Sequence, residues 1–300
     1  MANIIEVQDL TKRYGRGPAV IDRMSFRVQA GRIVGLIGRN GAGKTTLLKA
    51  MLGLTSYHGS VRVFGLEASH DRHALMSEIC FIADTGVLPR WLRVENALAY
   101  VAGVHPRFDR RRAEAVLARS AIARRARIGE LSKGMITQLH LALILAIDAR
   151  LLVLDEPTLG LDLIYRREFY DTLLSDYLDK ERTILLTTHQ VEEVENVLTD
   201  VLFLDRGHVA LDLSVEELPQ RFVQLNVAAG KREAARALGP FYEREVMGRP
   251  VMLFENRPRD ALAGLGELHT PGIGELFVAK LTAGAGAPAP EQPAAAGEAA

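Results

Sequence analysis

An apolar run, RIVGLIG at residues 32–38, feeds directly into GRNGAGKTT at 38–46, and the helix-compatible TTLLKAMLGL follows. No other feature restricts the fold so tightly. The stretch matches G-x-x-x-x-G-K-[ST], and a strand before it with a helix behind it is the context that pattern requires. Gly38, Gly41 and Gly43 let the backbone curl with its N–H groups turned inward around an anion. The helix beginning near Lys44 points the positive end of its dipole at the same place. Arg39, Asn40 and Ala42 complete the loop, and Thr46 continues the first helical turn. Lys44 is placed to reach the β- and γ-phosphates of a nucleoside triphosphate, and Thr45 to offer a hydroxyl to Mg²⁺.

Two further runs are continuously apolar and end in polar residues: LLVLDEP at 151–157 and TILLTTH at 183–189. Continuous apolarity reads as strands covered on both faces, as in a parallel sheet. Their polar ends then gather at one edge, where open α/β sheets bind ligands. Asp155 is the expected second protein ligand of the metal, Glu156 the general base for an attacking water. His189 stands just past the other strand, and taken alone is as readily structural as catalytic.

The rest of the chain frames this core. Runs at 4–10, 25–29 and 60–64 alternate, as half-buried antiparallel strands do. Between about 85 and 148 helical patterns replace strand signals, as in RVENALAYVAG and RRRAEAVLARSAI. Residues 223–282 read as a small separate α/β unit with strands in VQLNV and VMLFE, after a main domain over 1–222. The Ala/Gly/Pro-rich 283–300 reads as a disordered tail. The class is α/β throughout.

Composition removes several alternatives. Net charge is zero, so no global field draws the chain to nucleic acid. A single cysteine, Cys80, leaves no intramolecular disulfide framework and fits a reducing compartment. The N-terminus shows no secretory signal, and the longest strongly apolar run, 139–147, is under half of the roughly 20 residues a membrane span needs.

One junction remains open on residue chemistry alone. In LSKGMITQLHLALILA, 131–146, a polar turn runs straight into an apolar helix. Ser132 and Gly134 either cap that helix and nothing more, or also touch something bound elsewhere.

The order GRNGAGKTT, LSKGM, LLVLDEP, LGLD at 159–162 and His189 resembles the ATP-binding subunits of ABC transporters, over about residues 4–215. The stretch FDRRRAEAVLARSAI with IGELSKGM looks most like bacterial exporters whose ATPase and membrane subunits are separate chains. The resemblance implies a P-loop NTPase core with an N-terminal antiparallel β subdomain, an inserted helical subdomain and a C-terminal appendage. It implies a second ATP-binding subunit, identical or a close paralogue, packed head to tail, so that Ser132 and the Gly134 N–H contact a γ-phosphate held across the interface. It implies a membrane-spanning permease partner and a place on the cytoplasmic face of the cell membrane. By the same likeness Tyr14 stacks on adenine, Asp162 belongs to the loop coupling the two sites, and His189 contacts the γ-phosphate.

The sequence departs from the family at two places. Lys133 and Met135 replace a glycine and a glutamine of the usual signature, and Asp84 stands where a glutamine offers its carbonyl to the metal. Asp84 is a ligand with a full charge instead. Leu88, Trp91 and Leu92 are expected to present an apolar face to a permease helix. Arginines 107, 110, 111, 112, 119, 124, 125 and 127 read as a solvated surface near anionic headgroups; no aromatics interleave with them as a nucleic-acid face would require. The rival class is a soluble ABC-type ATPase acting on ribosomes or DNA. A small-molecule kinase would have no use for a signature turn.

Overall fold

The computed structural model describes residues 2–83, 88–158, 163–177 and 182–285. Contacts divide the chain into two compact units, Met1–Glu216 and Glu217–Ala300.

In the first unit, β1 (Asn3–Arg13) and β2 (Ala19–Gln29) are long alternating strands. Alternation in β1 breaks at Gln8-Asp9, both exposed, where the register with β2 shifts between Val7 and Leu10. Asp9 takes φ 48° there and its N–H donates to Ser25 Oγ at 2.9 Å. The extra residue is a bulge, and it returns Leu10 to the buried face already holding Ile5 and Val7. The chain continues through β3 (Ile33–Gly38), α1 (Lys44–Met51), β4 (His58–Val63) and β5 (Leu66–Glu67). The antiparallel sheet runs β2-β1-β4-β5.

Glu67 ties the last hairpin of that sheet together. Its Oε1 accepts from the Tyr57 hydroxyl at 2.8 Å and the Val61 N–H at 3.0 Å, and its Oε2 from the Ser60 hydroxyl at 2.7 Å. Burial pushes this carboxyl up, but the Ser60, Val61 and Tyr57 hydrogen bonds, with Arg62 nearby, outweigh it and hold Glu67 below its ordinary 4.5. A depressed carboxyl stabilises the fold fully above its unfolded value, and that contribution fades as pH falls from about 4.5 through the folded value. Glu67→Gln should therefore cost about 1 kcal/mol at neutral pH and nothing at the acid end of an unfolding titration. Urea melts at pH 7 and in the acid-unfolding region check the convergence.

After α2 (Arg72–Met76) and β6 (Ile79–Ile82), the chain enters α3 (Val94–Val104), α4 (Arg110–Leu117) and α5 (Lys133–Leu145). These helices share their own core, built on Val94, Leu98, Ala113, Leu117, Ile122, Leu139 and Leu143. Asp109 caps α4, its carboxylate accepting the N–H groups of Arg111 and Arg112. The α/β core resumes with β7 (Leu151–Asp155), α6 (Leu163–Tyr177), β8 (Thr183–Thr188), β9 (Asp200–Asp205) and β10 (His208–Ser214). Its six strands are ordered β10-β9-β3-β8-β7-β6. All pairs are parallel except β9–β10 at the edge. Every residue of β3, β7 and β8 is buried, which explains their unbroken apolar sequences. Their C-terminal ends, at Gly38, Asp155 and Thr188, lie side by side.

The second unit begins at Glu217, just ahead of α7 (Leu218–Arg221) and six residues before position 223, where the sequence reading starts it. The reason is local: α7 packs on β11 (Phe222–Val227), and its Arg221 pairs with Glu255 at 2.9 Å. After α8 (Arg232–Arg236) come β12 (Tyr242–Val246) and β13 (Arg249–Glu255), then α9 (Arg259–Leu262), β14 (Gly266–His269) and α10 (Ile273–Ala285). The sheet order β12-β13-β11-β14, antiparallel throughout, is a pair of split β-α-β units. Val223, Leu225, Met252 and Phe254 form its core with Ala235 and Leu262. Lys280 of α10 reaches Glu255 at 2.6 Å across the rings of Phe222 and Phe241. Helix α10 runs three residues into the segment read as a tail; residues 286–300 lie outside those described.

Candidate nucleotide site

The cradle is built by the chain leaving β3. Gly41 and Gly43 take φ 84° and 105°, a region open to glycine and strained for other residues. Gly43 is the N-cap of α1, which has neither a side-chain cap nor an acid in its first turn. Its leading N–H groups and positive dipole end are left for an external anion. The loop is braced from behind: Ala42 O accepts the Gly207 N–H at 3.1 Å, and the Val20 carbonyl of β2 lies against both Gly43 and Gly207.

Lys44 is only 7% exposed. Its Nζ donates to Gly38 O at 2.7 Å and sits 3.5 Å from Glu156 Oε1. The Thr45 hydroxyl donates to Asp155 Oδ2 at 3.0 Å. Asp155, 2% exposed at the end of β7, also accepts the Thr187 hydroxyl on Oδ1 at 2.7 Å. Thr187 Oγ1 accepts in turn the Glu156 N–H at 2.9 Å. Glu156 takes φ 48°, a left-handed conformation that costs an L residue roughly 1–2 kcal/mol. In that conformation its Oε2 lies 2.8 Å from His189 Nδ1. The residues read as cradle, metal ligand, base and γ-phosphate contact thus meet at one edge of the parallel sheet. A buried carboxylate beside a threonine hydroxyl is an oxygen set that suits Mg²⁺, which completes its shell with water and phosphate.

Elsewhere Ser132 is the N-cap of α5, its Oγ accepting the Met135 N–H at 3.2 Å. Ser132 is exposed, Gly134 is buried in the first turn, and that turn holds no acid. Among the described residues, no hydrogen bond or ion pair joins this turn to the cradle of its own chain.

The ABC transporter family model matches residues 21–159. The Nod factor export ATP-binding protein I of Rhizobium etli is 32% identical over 267 residues, 85% of this chain and 83% of that protein. The chain belongs to the family of ABC transporter ATP-binding subunits. A bacitracin transport ATP-binding protein of Enterococcus faecalis is also 32% identical, over 77% of each chain. The solved ATP-binding subunit of an ABC transporter superimposes with a TM-score of 0.65 at 26% identity, covering 72% of this chain and 92% of its own. The P-loop α/β fold read from the sequence is confirmed, and the subunit is an ATPase coupled to transport.

Within this ABC subunit, Tyr14 is 51% exposed, with the Lys12 ammonium 4.8 Å from its ring centre. It opens the Tyr14–Gly17 turn that leads into β2, whose Val20 abuts the cradle. Lys133 is exposed. Asp84 and Asp162 lie outside the described residues. The apolar face expected from Leu88, Trp91 and Leu92 reduces to one side chain: Leu88 and Leu92 pack against the helical core, while Trp91 is 74% exposed.

Sequence reasoning missed the groups that hold the site together. Thr187 links Asp155 to the Glu156 backbone, and its sequence signal is weak, one of three threonines in β8. Arg166 of α6 hydrogen-bonds to both Gln190 and Glu193. Glu193 Oε2 accepts the Thr158 hydroxyl at 3.3 Å, within 3.4 Å of which lies the Tyr170 hydroxyl. This network joins the segment after Glu156 to the turn after His189.

Proposed function

We propose that the chain is the motor of an exporter in which two ATP-binding subunits, two copies or one copy and a close paralogue, close on ATP. Glu156 draws a proton from the attacking water, and His189 orients Glu156 and faces the γ-phosphate. Lys44 and the amides of residues 38–46 neutralise the phosphates. Thr45 and Asp155, with Asp84, would hold Mg²⁺, whose bound chemistry is to spread the charge of the β- and γ-oxygens. Tyr14 stacks on adenine, and Asp162 couples the two sites. Phosphoryl transfer asks for positioning and charge stabilisation, and these residues supply both.

The observation that carries the reading is the Ser132 turn: a serine-capped helix N-terminus with no acid in its first turn and, among the described residues, no hydrogen bond or ion pair to its own chain's cradle. A second subunit packed head to tail brings it to the phosphate. Export rather than import follows the relatives, which are named for Nod factor export and bacitracin transport. No helix among the described residues is long and apolar enough to cross a membrane. By the same likeness the subunit works at the cytoplasmic face through a separate permease, and has no nucleic-acid partner. Co-expression with a polytopic membrane protein from the neighbouring reading frame should yield a detergent-stable complex with ATPase activity. Co-purification with ribosomes or DNA instead would overturn the reading.

A further inference from the structure

The arginines of the helical subdomain are not one surface. Arg107 pairs with Glu78, while Arg110 and Arg124 share Glu114. Arg125 and Arg127 are brought beside two arginines from another segment by a feature invisible in the sequence. Residues 90–95 and 124–129 run antiparallel as a short ribbon. Gly129 N–H donates to Arg90 O at 2.8 Å, Ile128 N–H to Leu92 O at 2.9 Å, Val94 N–H to Ala126 O at 3.1 Å and Glu95 N–H to Arg124 O at 2.9 Å. Arg93 lies directly opposite Arg127.

The ribbon therefore gathers Arg90, Arg93, Arg125 and Arg127, all exposed. Among the described residues none of the four has a carboxylate within ion-pair reach. Arg90 Nη2 donates to Gly129 O at 3.4 Å and Arg93 Nη1 to Arg125 O at 3.0 Å, both backbone carbonyls. Glu95 and Glu130 are the acids on or beside these segments, and Glu130 spends Oε2 on the Arg127 backbone N–H at 3.0 Å. Like charges placed opposite one another destabilise a strand pair. Among the described residues no carboxylate pairs with either guanidinium.

We propose that this ribbon is a docking surface for anionic phospholipid headgroups. Guanidinium groups match phosphate with two parallel hydrogen bonds and give up their hydration readily. Arg90 and Arg93 each spend one guanidinium N–H on a backbone carbonyl, and among the described residues no carboxylate engages any of the four, so the charges form an open array rather than a cradle shaped to one carboxylate. Trp91 stands between Arg90 and Arg93 on the same segment, and tryptophan is the side chain favoured at headgroup depth. The inference rests on the proposed membrane-facing role for its setting, but vesicle binding and ATP hydrolysis read the two separately.

The test is sedimentation of the full chain with vesicles of phosphatidylglycerol mixed equally with phosphatidylcholine, against phosphatidylcholine alone. Wild-type protein should sediment with the anionic vesicles only, less so as salt rises. Changing Arg90, Arg93, Arg125 and Arg127 to Gln together should weaken binding about five-fold per arginine, several hundred-fold in all, with ATP hydrolysis retained. A control losing equal charge elsewhere (Arg16, Arg27, Lys231 and Arg249 to Gln) should bind as wild type. Equal loss in the control, or equal binding to both vesicle types, overturns the proposal. So does a ribbon variant that binds anionic vesicles normally but no longer holds its permease, since an acidic protein segment is then the ligand. Wild-type protein that binds vesicles without hydrolysing ATP would leave the lipid surface standing and sink the motor reading.

Discussion

Changing Glu156 to glutamine should lower steady-state ATP hydrolysis by about 10²–10⁴-fold, the usual contribution of a general base. Binding should survive, because the substitution is nearly isosteric and the cradle is built from other groups. The amide keeps an oxygen to face His189 Nδ1, now 2.8 Å from Oε2, and removes the charge 3.5 Å from Lys44 Nζ. Lys44 then has one anion fewer to share and should hold the triphosphate more tightly. The variant should accumulate as an ATP-loaded dimer, visible by light scattering, with no phosphate burst. A second outcome separates chemistry from collapse: Glu156→Asp keeps the charge but shortens the side chain, and should recover only part of the rate. Turnover within ten-fold of wild type in Glu156→Gln would assign the base to another group.

How far the sequence displayed this arrangement depended on burial. Strands β3, β7 and β8 are covered on both faces, so their sequences are unbroken apolar runs and their polar termini stand out. Strands β6, β12 and β14 were not anticipated. β6 is four residues long and pairs only with β7; β12 and β14 are sheet edges whose outward residues, such as Glu245 and Glu267, interrupt any pattern. Motif residues were legible because their chemistry demands a fixed order. Their supports were not: Thr187 meets Asp155 and Glu156, and Arg166 meets Glu193, only when segments 27 to 32 residues apart in sequence come together. The same is true of the arginine ribbon, since nothing in local spacing announces that residue 93 will face residue 127. Leu88 and Leu92 were read as a face for a permease helix because the resemblance turns this loop toward the membrane partner, yet they pack against the helical core.

Ser132→Asp should separate a helix cap from a phosphate contact. Aspartate caps helices as well as serine does, and its charge suits the positive end of α5. Thermal stability should therefore stay near that of wild type, with the Met135 N–H still capped. Across a closed interface the new carboxylate would face the γ-phosphate. At about 4 Å and an effective dielectric near 20, such a repulsion is roughly 4 kcal/mol, or about 10³-fold in ATP-driven closure. Ser132→Asn, the same cap without the charge, should retain most of the activity. If both variants turn over normally, the turn is a cap and no more. Mixing Ser132→Asp protein with Lys44→Ala protein gives the sharper result, because neither hydrolyses alone. Half of randomly assorted dimers are mixed, and each joins one intact cradle to one intact turn. About a quarter of wild-type activity should return if two subunits share each nucleotide symmetrically and the sites fire independently. A mixture as inactive as its parts would mean that the lysine and the serine must reside in the same chain.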